Sequence, residues 1–218
     1  MHSPSVPLGR RDFSVLEWER SDGKQERMDM TRVYFVRHAA PNFDNHDDLT
    51  RELTAQGIKD RRLVTAFLAD KGIDAIFSSP YKRAVDTMKE FAEVRKLEIT
   101  LVNDFRERKI SGEWIADFNG FSKRQWLDFD FRLPEGESLR EVQERNINAL
   151  NRILETHAGK NIAIGGHGTA ISAVIQYYDR SFGYKEFNEI KGLMPWIAEF
   201  SFEDGSCTGI KKHNLFQQ

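Results

Sequence analysis

Short apolar strands alternate with amphipathic helices along most of this chain. β-branched and aromatic runs of strand length occur at 32–36, 75–78, 99–102 and 162–165. Helical patterns lie between or after these runs and begin near Thr54, Pro80, Ser138 and Thr169. Because strands connected through helices pair in parallel, this alternation predicts an α/β fold: a three-layer α/β/α sandwich with a mainly parallel sheet.

The ends of several elements are marked by particular residues. Thr54 is a suitable N-cap for the first helix, and Ser138 with Glu141 forms a capping box at the start of a later one. Apolar runs near 196–202 and 208–212 flank a Glu-Asp-Gly-Ser turn and predict a terminal β-hairpin. The sheet is therefore expected to be mixed.

Two regions do not fit the alternation. Residues 1–30 contain prolines and charges of mixed sign without an apolar period, which predicts a poorly ordered extension or a non-native leader before a folded domain at 31–218. The other region, about 104–135, contains seven aromatic residues among many charges. We expect it to be an inserted lid over the carboxyl edge of the sheet, with most of its aromatics packed on one another.

The composition excludes several functional classes. The 32 Lys and Arg residues are balanced by 34 Asp and Glu residues, so there is no broad basic surface for nucleic acid. No run of about 18 apolar residues occurs, so no membrane association is expected. The single cysteine, Cys207, excludes an internal disulfide and cysteine-rich metal sites, and it favours a cytoplasmic location.

Charged and polar residues follow three of the predicted strands. Arg37 and His38 come directly after the first strand, Arg83 follows the second, and His167 follows the fourth. Because the carboxyl ends of parallel strands lie at one edge of a sheet, we expect these four side chains to converge. Arginine offers paired donors that match phosphate oxygens, and imidazole can act as a nucleophile or a hydrogen-bond donor. These four residues therefore predict a phosphate-binding site at the carboxyl edge of the sheet.

The motifs that carry these residues resemble those of the histidine phosphatase superfamily, the phosphoglycerate mutase-like group. The resemblance extends from about residue 31 to residue 202. The motifs occur in the family's order: Val36-Arg37-His38, Leu53-Thr54-x-x-Gly57, Ser78-Ser79-Pro80-Tyr81-Lys82-Arg83-Ala84-x-x-Thr87, Pro134-x-Gly136-Glu137-Ser138 and Gly166-His167-Gly168.

This resemblance implies specific roles. His38 would be the nucleophile, and Arg37, Arg83 and a protonated His167 would hold the phosphoryl oxygens. An acid from the insertion would protonate the leaving group. Since side chains supply the positive charge, neither a metal nor another cofactor is expected. The phosphate-binding set is completed by Gly168, Ala39 and Asn42.

Two acidic residues compete for the role of proton donor. Glu107 is preferred because Phe105-Arg106-Glu107 is similar to the family's Leu-x-Glu motif after the third strand. Glu113, before Trp114, is the alternative. An aromatic lid would help the acid by excluding water.

The sequence also departs from the family pattern. Ala39 stands where glycine is common, residues 39–44 lack the longer signature of the cofactor-dependent mutases, and the stretch at 112–116 lacks its second acid. The leading hypothesis is therefore a phosphatase that acts on a small phosphorylated metabolite through a phosphohistidine on His38. The alternatives are a phosphoglycerate mutase-type transferase and a non-catalytic relative that binds a phosphorylated ligand or a protein. A homodimer is left open.

Overall fold

The computed structural model describes residues 30–112 and 115–217 and contains six strands and six α-helices in that part of the chain. The strands are β1 (Thr31–Arg37), β2 (Ala75–Ser78), β3 (Ile99–Leu101), β4 (Asn161–Gly166), β5 (Trp196–Glu203) and β6 (Ser206–Asn214). The helices are α1 (Ala55–Leu68), α2 (Lys82–Arg95), α3 (Phe118–Leu127), α4 (Leu139–Thr156), α5 (Gly168–Tyr178) and α6 (Tyr184–Ile190).

The strands form one mixed sheet in the order β3-β2-β4-β1-β5-β6. β1, β2, β3 and β4 run parallel, while β5 pairs antiparallel with β1 and with β6. The predicted α/β fold and its terminal hairpin are confirmed. Since β1 and β4 are neighbours with Arg37 opposite Gly166, the residues that follow these strands leave the sheet side by side.

Alternate side chains of β1 enter two separate hydrophobic cores. Val33 and Phe35 pack with residues of α4 and α5, whereas Tyr34 and Val36 pack with residues of α1 and α2. This alternation follows from the strand's two-residue side-chain period. Helices therefore cover both faces of the sheet, which confirms the three-layer arrangement.

The predicted helix caps are present. The Thr54 hydroxyl accepts a hydrogen bond from the Gly57 amide at 3.0 Å. Ser138 and Glu141 exchange the two hydrogen bonds of a capping box, at 3.1 and 2.8 Å. A Cβ at Gly57 would overlap the carbonyl oxygen of Ala40, so a glycine is needed for α1 to approach the segment after β1.

The insertion forms α3 and an aromatic cluster. Trp126 packs on Phe129, Phe182 and Phe187 at ring-centroid distances of 5.5, 5.8 and 5.2 Å, and Phe121 lies 6.1 Å from Phe131. The expectation that lid aromatics pack on one another is confirmed for the pairs Trp126–Phe129 and Phe121–Phe131, whereas Phe182 and Phe187 lie outside the insertion.

Some features fall outside the predictions or outside the structure. Helix α6 was not predicted, because it is short and Phe187 is its one buried residue, which leaves no helical period to detect. The proposed extension at 1–30 lies almost wholly outside the described residues and stays a prediction. Among residues 30–112 and 115–217, no helix combines the length and apolar character needed to cross a bilayer.

Candidate active site

His38 and His167 lie side by side at the carboxyl edge of the sheet. Their rings are 5.3 Å apart between centroids, and both side chains are buried. His38 follows β1, and His167 is the N-cap residue of α5 after β4. The pairing of these two strands brings the histidines together, as the sequence predicts.

The His38 ring is oriented by its own backbone neighbour. Nδ1 lies 2.7 Å from the carbonyl oxygen of Ala39, a pure acceptor, so Nδ1 carries the ring proton. Burial lowers the pKa of His38 well below its usual range, and the charges of Arg83 and Arg37 lower it further. The ring is therefore neutral at physiological pH and keeps a lone pair on Nε2.

Arg37 is held by three main-chain carbonyl groups at and beyond the end of α6. Its Nη1 donates to the oxygens of Ile190, Lys191 and Leu193 at 3.2, 2.7 and 2.9 Å. Burial lowers the pKa of Arg37 to about 10, although the charge of Glu107 opposes this shift. The guanidinium stays protonated at neutral pH, and its buried Nε lacks a partner among the described residues.

Gly168 makes room for the Arg37 guanidinium. A Cβ at this position would lie 2.9 Å from both Cζ and Nε of Arg37. Such distances are shorter than ordinary van der Waals contact, so a side chain here would displace the guanidinium. Gly168 thus allows the placement of Arg37, and its own role in phosphate binding stays a prediction.

Arg83 is anchored by Asp48, from the loop between β1 and α1. Nη1 donates to the Asp48 carbonyl at 2.7 Å and Nη2 to its carboxylate at 3.1 Å. Burial lowers the pKa of Arg83, and the Asp48 charge opposes the shift. The Arg83 side chain is buried while the Asp48 side chain is half-exposed, so this pair fixes the arginine from the solvent side.

His167 is held through Ser79. Its Nε2 lies 2.8 Å from the Ser79 hydroxyl, which also accepts a hydrogen bond from the Tyr81 amide at 3.2 Å. When the hydroxyl donates to Nε2, the ring proton lies on Nδ1. This buried Nδ1 lacks a partner in the described part of the chain.

The prediction that His167 is protonated is not supported by the protein's own electrostatics. Burial lowers its pKa well below the usual range, and the charges of Arg83, Arg145 and Arg37 lower it further. A buried imidazole among three guanidinium groups favours the neutral form.

Glu107 faces the site from the start of the insertion. Its carboxylate accepts hydrogen bonds from the Arg108 amide at 2.8 Å and from the Thr169 amide, in the first turn of α5, at 3.1 Å. The flanking arginines have other partners, since Arg106 pairs with Glu137 at 2.8 Å and Arg108 donates to Gln125. Glu107 is thus placed at the first turn of α5, which His167 caps, and its charge acts on Arg37 and Arg83.

Three other sequence-predicted residues have different outcomes. The Ala39 amide donates to the Thr87 hydroxyl at 3.0 Å, and the Asn42 side-chain amide donates to Glu52 at 2.7 Å. Their assignment to phosphate binding stays a prediction. Positive φ occurs at Lys96, Glu135 and Asp204 but at no other described non-glycine residue, so alanine at 39 is unstrained. Glu113 lies outside the described residues.

The sequence did not point to several residues that hold the site. Thr87 belongs to a quoted motif, but its contacts with the Ala39 amide and the Arg83 carbonyl, at 3.0 and 2.7 Å, were not foreseen. The carbonyl groups of 190, 191 and 193 bind Arg37 through the backbone, so no residue type in the sequence marks them as partners. Asp48 lies in the acidic segment 44–48, and no residue pattern in the sequence marks its contact with Arg83.

Together these features define a class of protein. The buried Arg83, the partly buried Arg37, two neutral imidazoles and a carboxylate lie at one strand-end edge of an α/β sheet, and the two guanidinium groups suit a bound phosphate. Residues 33–213 match the model of the family described as "Histidine phosphatase superfamily (branch 1)". The chain belongs to the histidine phosphatase superfamily, and it is an enzyme of the phosphatase type, as the resemblance implied.

Individual relatives agree with this family. The chain is 28% identical over 190 residues to "Uncharacterized phosphatase PhoE" of Bacillus subtilis, covering 85% of this chain and 95% of the relative. It is 30% identical over 162 residues to "Probable phosphoglycerate mutase GpmB" of Serratia proteamaculans, covering 67% of this chain and 74% of the relative. A mutant phosphoserine phosphatase from Entamoeba histolytica, solved in complex with phosphoserine, shares the fold with a TM-score of 0.69 and 21% identity, over 86% and 98% of the two chains.

Proposed function

We propose that the protein is a metal-independent phosphomonoesterase that hydrolyses a small phosphorylated metabolite through a phosphohistidine on His38. One observation carries the proposal. The buried His38 ring has its proton fixed on Nδ1 by the Ala39 carbonyl, which leaves the Nε2 lone pair available near the buried Arg83 and the partly buried Arg37.

In the first step, Nε2 of His38 attacks phosphorus as the bond to the leaving oxygen breaks. Arg37 and Arg83 neutralise the charge on the equatorial oxygens. Glu107, in its protonated form, transfers a proton to the leaving oxygen. Water then attacks the phosphohistidine, the N–P bond breaks, and the water proton returns to Glu107.

His167 gains an acceptor in this scheme. Its Nδ1 lacks a partner among the described residues, and in the tautomer that protonates Nδ1 a phosphoryl oxygen would supply one. The phosphate charge would also raise the pKa of the ring from its depressed position, since an opposite charge favours the protonated form. Substrate binding would then strengthen the donor that the phosphate needs.

A phosphoglycerate mutase-type transfer is the second candidate, favoured by the name of the GpmB relative. The sequence at 39–44, which lacks the mutase signature, favours the phosphatase. A coupled assay with 2- and 3-phosphoglycerate separates the two activities. A non-catalytic phosphate binder is the third candidate, and it would bind phosphate without forming a phosphoenzyme.

We also propose a cytoplasmic location, supported by the single free cysteine, Cys207.

The first test is the phosphoenzyme itself. The protein should hydrolyse p-nitrophenyl phosphate in the presence of a chelator and give an acid-labile phosphoenzyme on rapid quenching. His38→Ala should abolish both, with a loss of at least about 10³-fold in kcat. The control is His157→Ala, at the end of α4. Full activity in His38→Ala would refute the proposal.

A further inference from the structure

Arg145, on α4, reaches three main-chain carbonyl groups around Glu107. Its Nη1 donates to the carbonyl oxygens of Asp104 and Arg106 at 2.6 and 2.8 Å, and its Nη2 lies 3.3 Å from that of Glu107. The Arg145 side chain is only 11% exposed. One guanidinium thus binds the segment just before the proposed acid and the acid's own backbone.

Glu137 completes the contact from the other side. Its carboxylate binds Nε and Nη2 of Arg145 at 2.9 and 3.0 Å, which is a bidentate pair. It also accepts from Arg106 Nη2 at 2.8 Å and from the Lys109 amide at 2.9 Å, and the Glu137 amide donates to the Lys109 carbonyl at 2.8 Å. The two side chains therefore hold the backbone on both sides of Glu107.

The Glu137 carboxylate stays ionised in this arrangement. Burial by itself would raise its pKa, but the hydrogen bonds and charge of Arg145, the Lys109 amide and Arg106 outweigh burial and lower it. An ionised, bidentate pair holds its geometry more rigidly than a neutral hydrogen bond.

We propose that Arg145 and Glu137 are positioning residues, which fix the backbone at 104–109 so that the Glu107 carboxylate stays at the Thr169 amide beside His167. The inference rests on the proposed function, in which Glu107 is the proton donor. Lysine cannot replace Arg145, because its single ammonium group lacks the planar set of five N–H donors with which a guanidinium reaches the carbonyls and both carboxylate oxygens at once.

The test compares leaving groups, because a loss of acid catalysis costs most when the departing oxygen is strongly basic. kcat/KM is measured for p-nitrophenyl, phenyl and alkyl phosphates in Glu107→Gln, Arg145→Met, Arg145→Lys and Glu137→Gln. The matched control is Arg152→Met, since Arg152 lies on the same helix and bonds the Asp104 carboxylate at 2.9 Å from a 61% exposed position.

We expect the Arg145 and Glu137 variants to lose at least about 10-fold more activity towards alkyl than towards p-nitrophenyl phosphate, as Glu107→Gln does. Arg145→Met added to Glu107→Gln should cost little more, because both remove the same proton transfer. Arg152→Met should match the parent protein for every substrate.

The other outcomes are distinct. If Glu107→Gln shows leaving-group dependence but Arg145→Met and Arg145→Lys slow all substrates equally, or slow none, the positioning role is overturned. If none of the Arg145 and Glu137 variants folds, as judged by thermal unfolding, the pair is structural and the inference fails. If Glu107→Gln itself shows no leaving-group dependence while His38 still forms a phosphoenzyme, the acid assignment and the positioning inference both fail but the phosphohistidine proposal stands.

Discussion

Replacing Gly168 with alanine tests whether the active site depends on the close approach of Arg37 to the start of α5. The new Cβ would lie 2.9 Å from Cζ and Nε of Arg37, whereas ordinary contact begins at 3.4 Å. The guanidinium must therefore move by about 0.5 Å, and three carbonyl groups that hold Nη1 oppose that movement.

The expected effect is larger on catalysis than on folding. Overpacking a close contact costs roughly 1–3 kcal/mol of the free energy of unfolding. Under the proposed function a displaced Arg37 loses transition-state contacts as well, and misplacement by about 1 Å can cost about 10²-fold. We expect kcat/KM for p-nitrophenyl phosphate to fall about 10- to 100-fold.

Gly166→Ala is the matched control, because Gly166 and Gly168 flank the same histidine. A Cβ at Gly166 would meet Ile171 at 3.5 Å, which is an ordinary contact. Steady-state kinetics and urea unfolding are measured for both variants. Gly168→Ala with the parent kcat/KM, or Gly166→Ala with an equal loss, would refute this reasoning.

Two further predictions concern charge. Burial and nearby arginines hold the pKa values of His38 and His167 below 6.5, so below that pH the unfolded chain binds protons that the fold does not. The free energy of unfolding should fall with decreasing pH by up to about 1.4 kcal/mol per pH unit for each histidine. Urea unfolding at pH 7.5 and 5.5 measures this dependence, and an unchanged slope in His38→Ala would contradict it. Asp48→Ala removes the carboxylate that binds Arg83 and should raise the KM for p-nitrophenyl phosphate about 3- to 10-fold. The effect is modest because the Asp48 side chain is half-exposed. Asp44→Ala is the control, and an equal KM in both variants would oppose a role for the Asp48 carboxylate.

The residues that could be predicted are those whose position follows from a strand. His38 and His167 stand immediately after β1 and β4, so the parallel pairing of these strands brings them together. The cap residues were equally predictable, because capping depends on a side chain and an amide within one helical turn.

The contacts that could not be predicted join side chains to distant backbone. Arg37 bonds the carbonyl groups of 190, 191 and 193, and Arg145 bonds those of 104, 106 and 107. Every residue has a carbonyl group, so no residue type marks these partners. The neutral state of His167 was also hidden, since it results from burial among arginines that are far apart in sequence.

The anchoring of Arg37 also affects when the site can form during synthesis. A nascent chain that has emerged as far as α5 already contains both histidines, Arg37 and Arg83. It still lacks the carbonyls of 190–193, and it lacks β5, which pairs with β1 along its whole length. The guanidinium therefore reaches its final position only after the segment beyond α5 has left the ribosome. The order of translation therefore makes the Arg37 anchor one of the last parts of the candidate site to form.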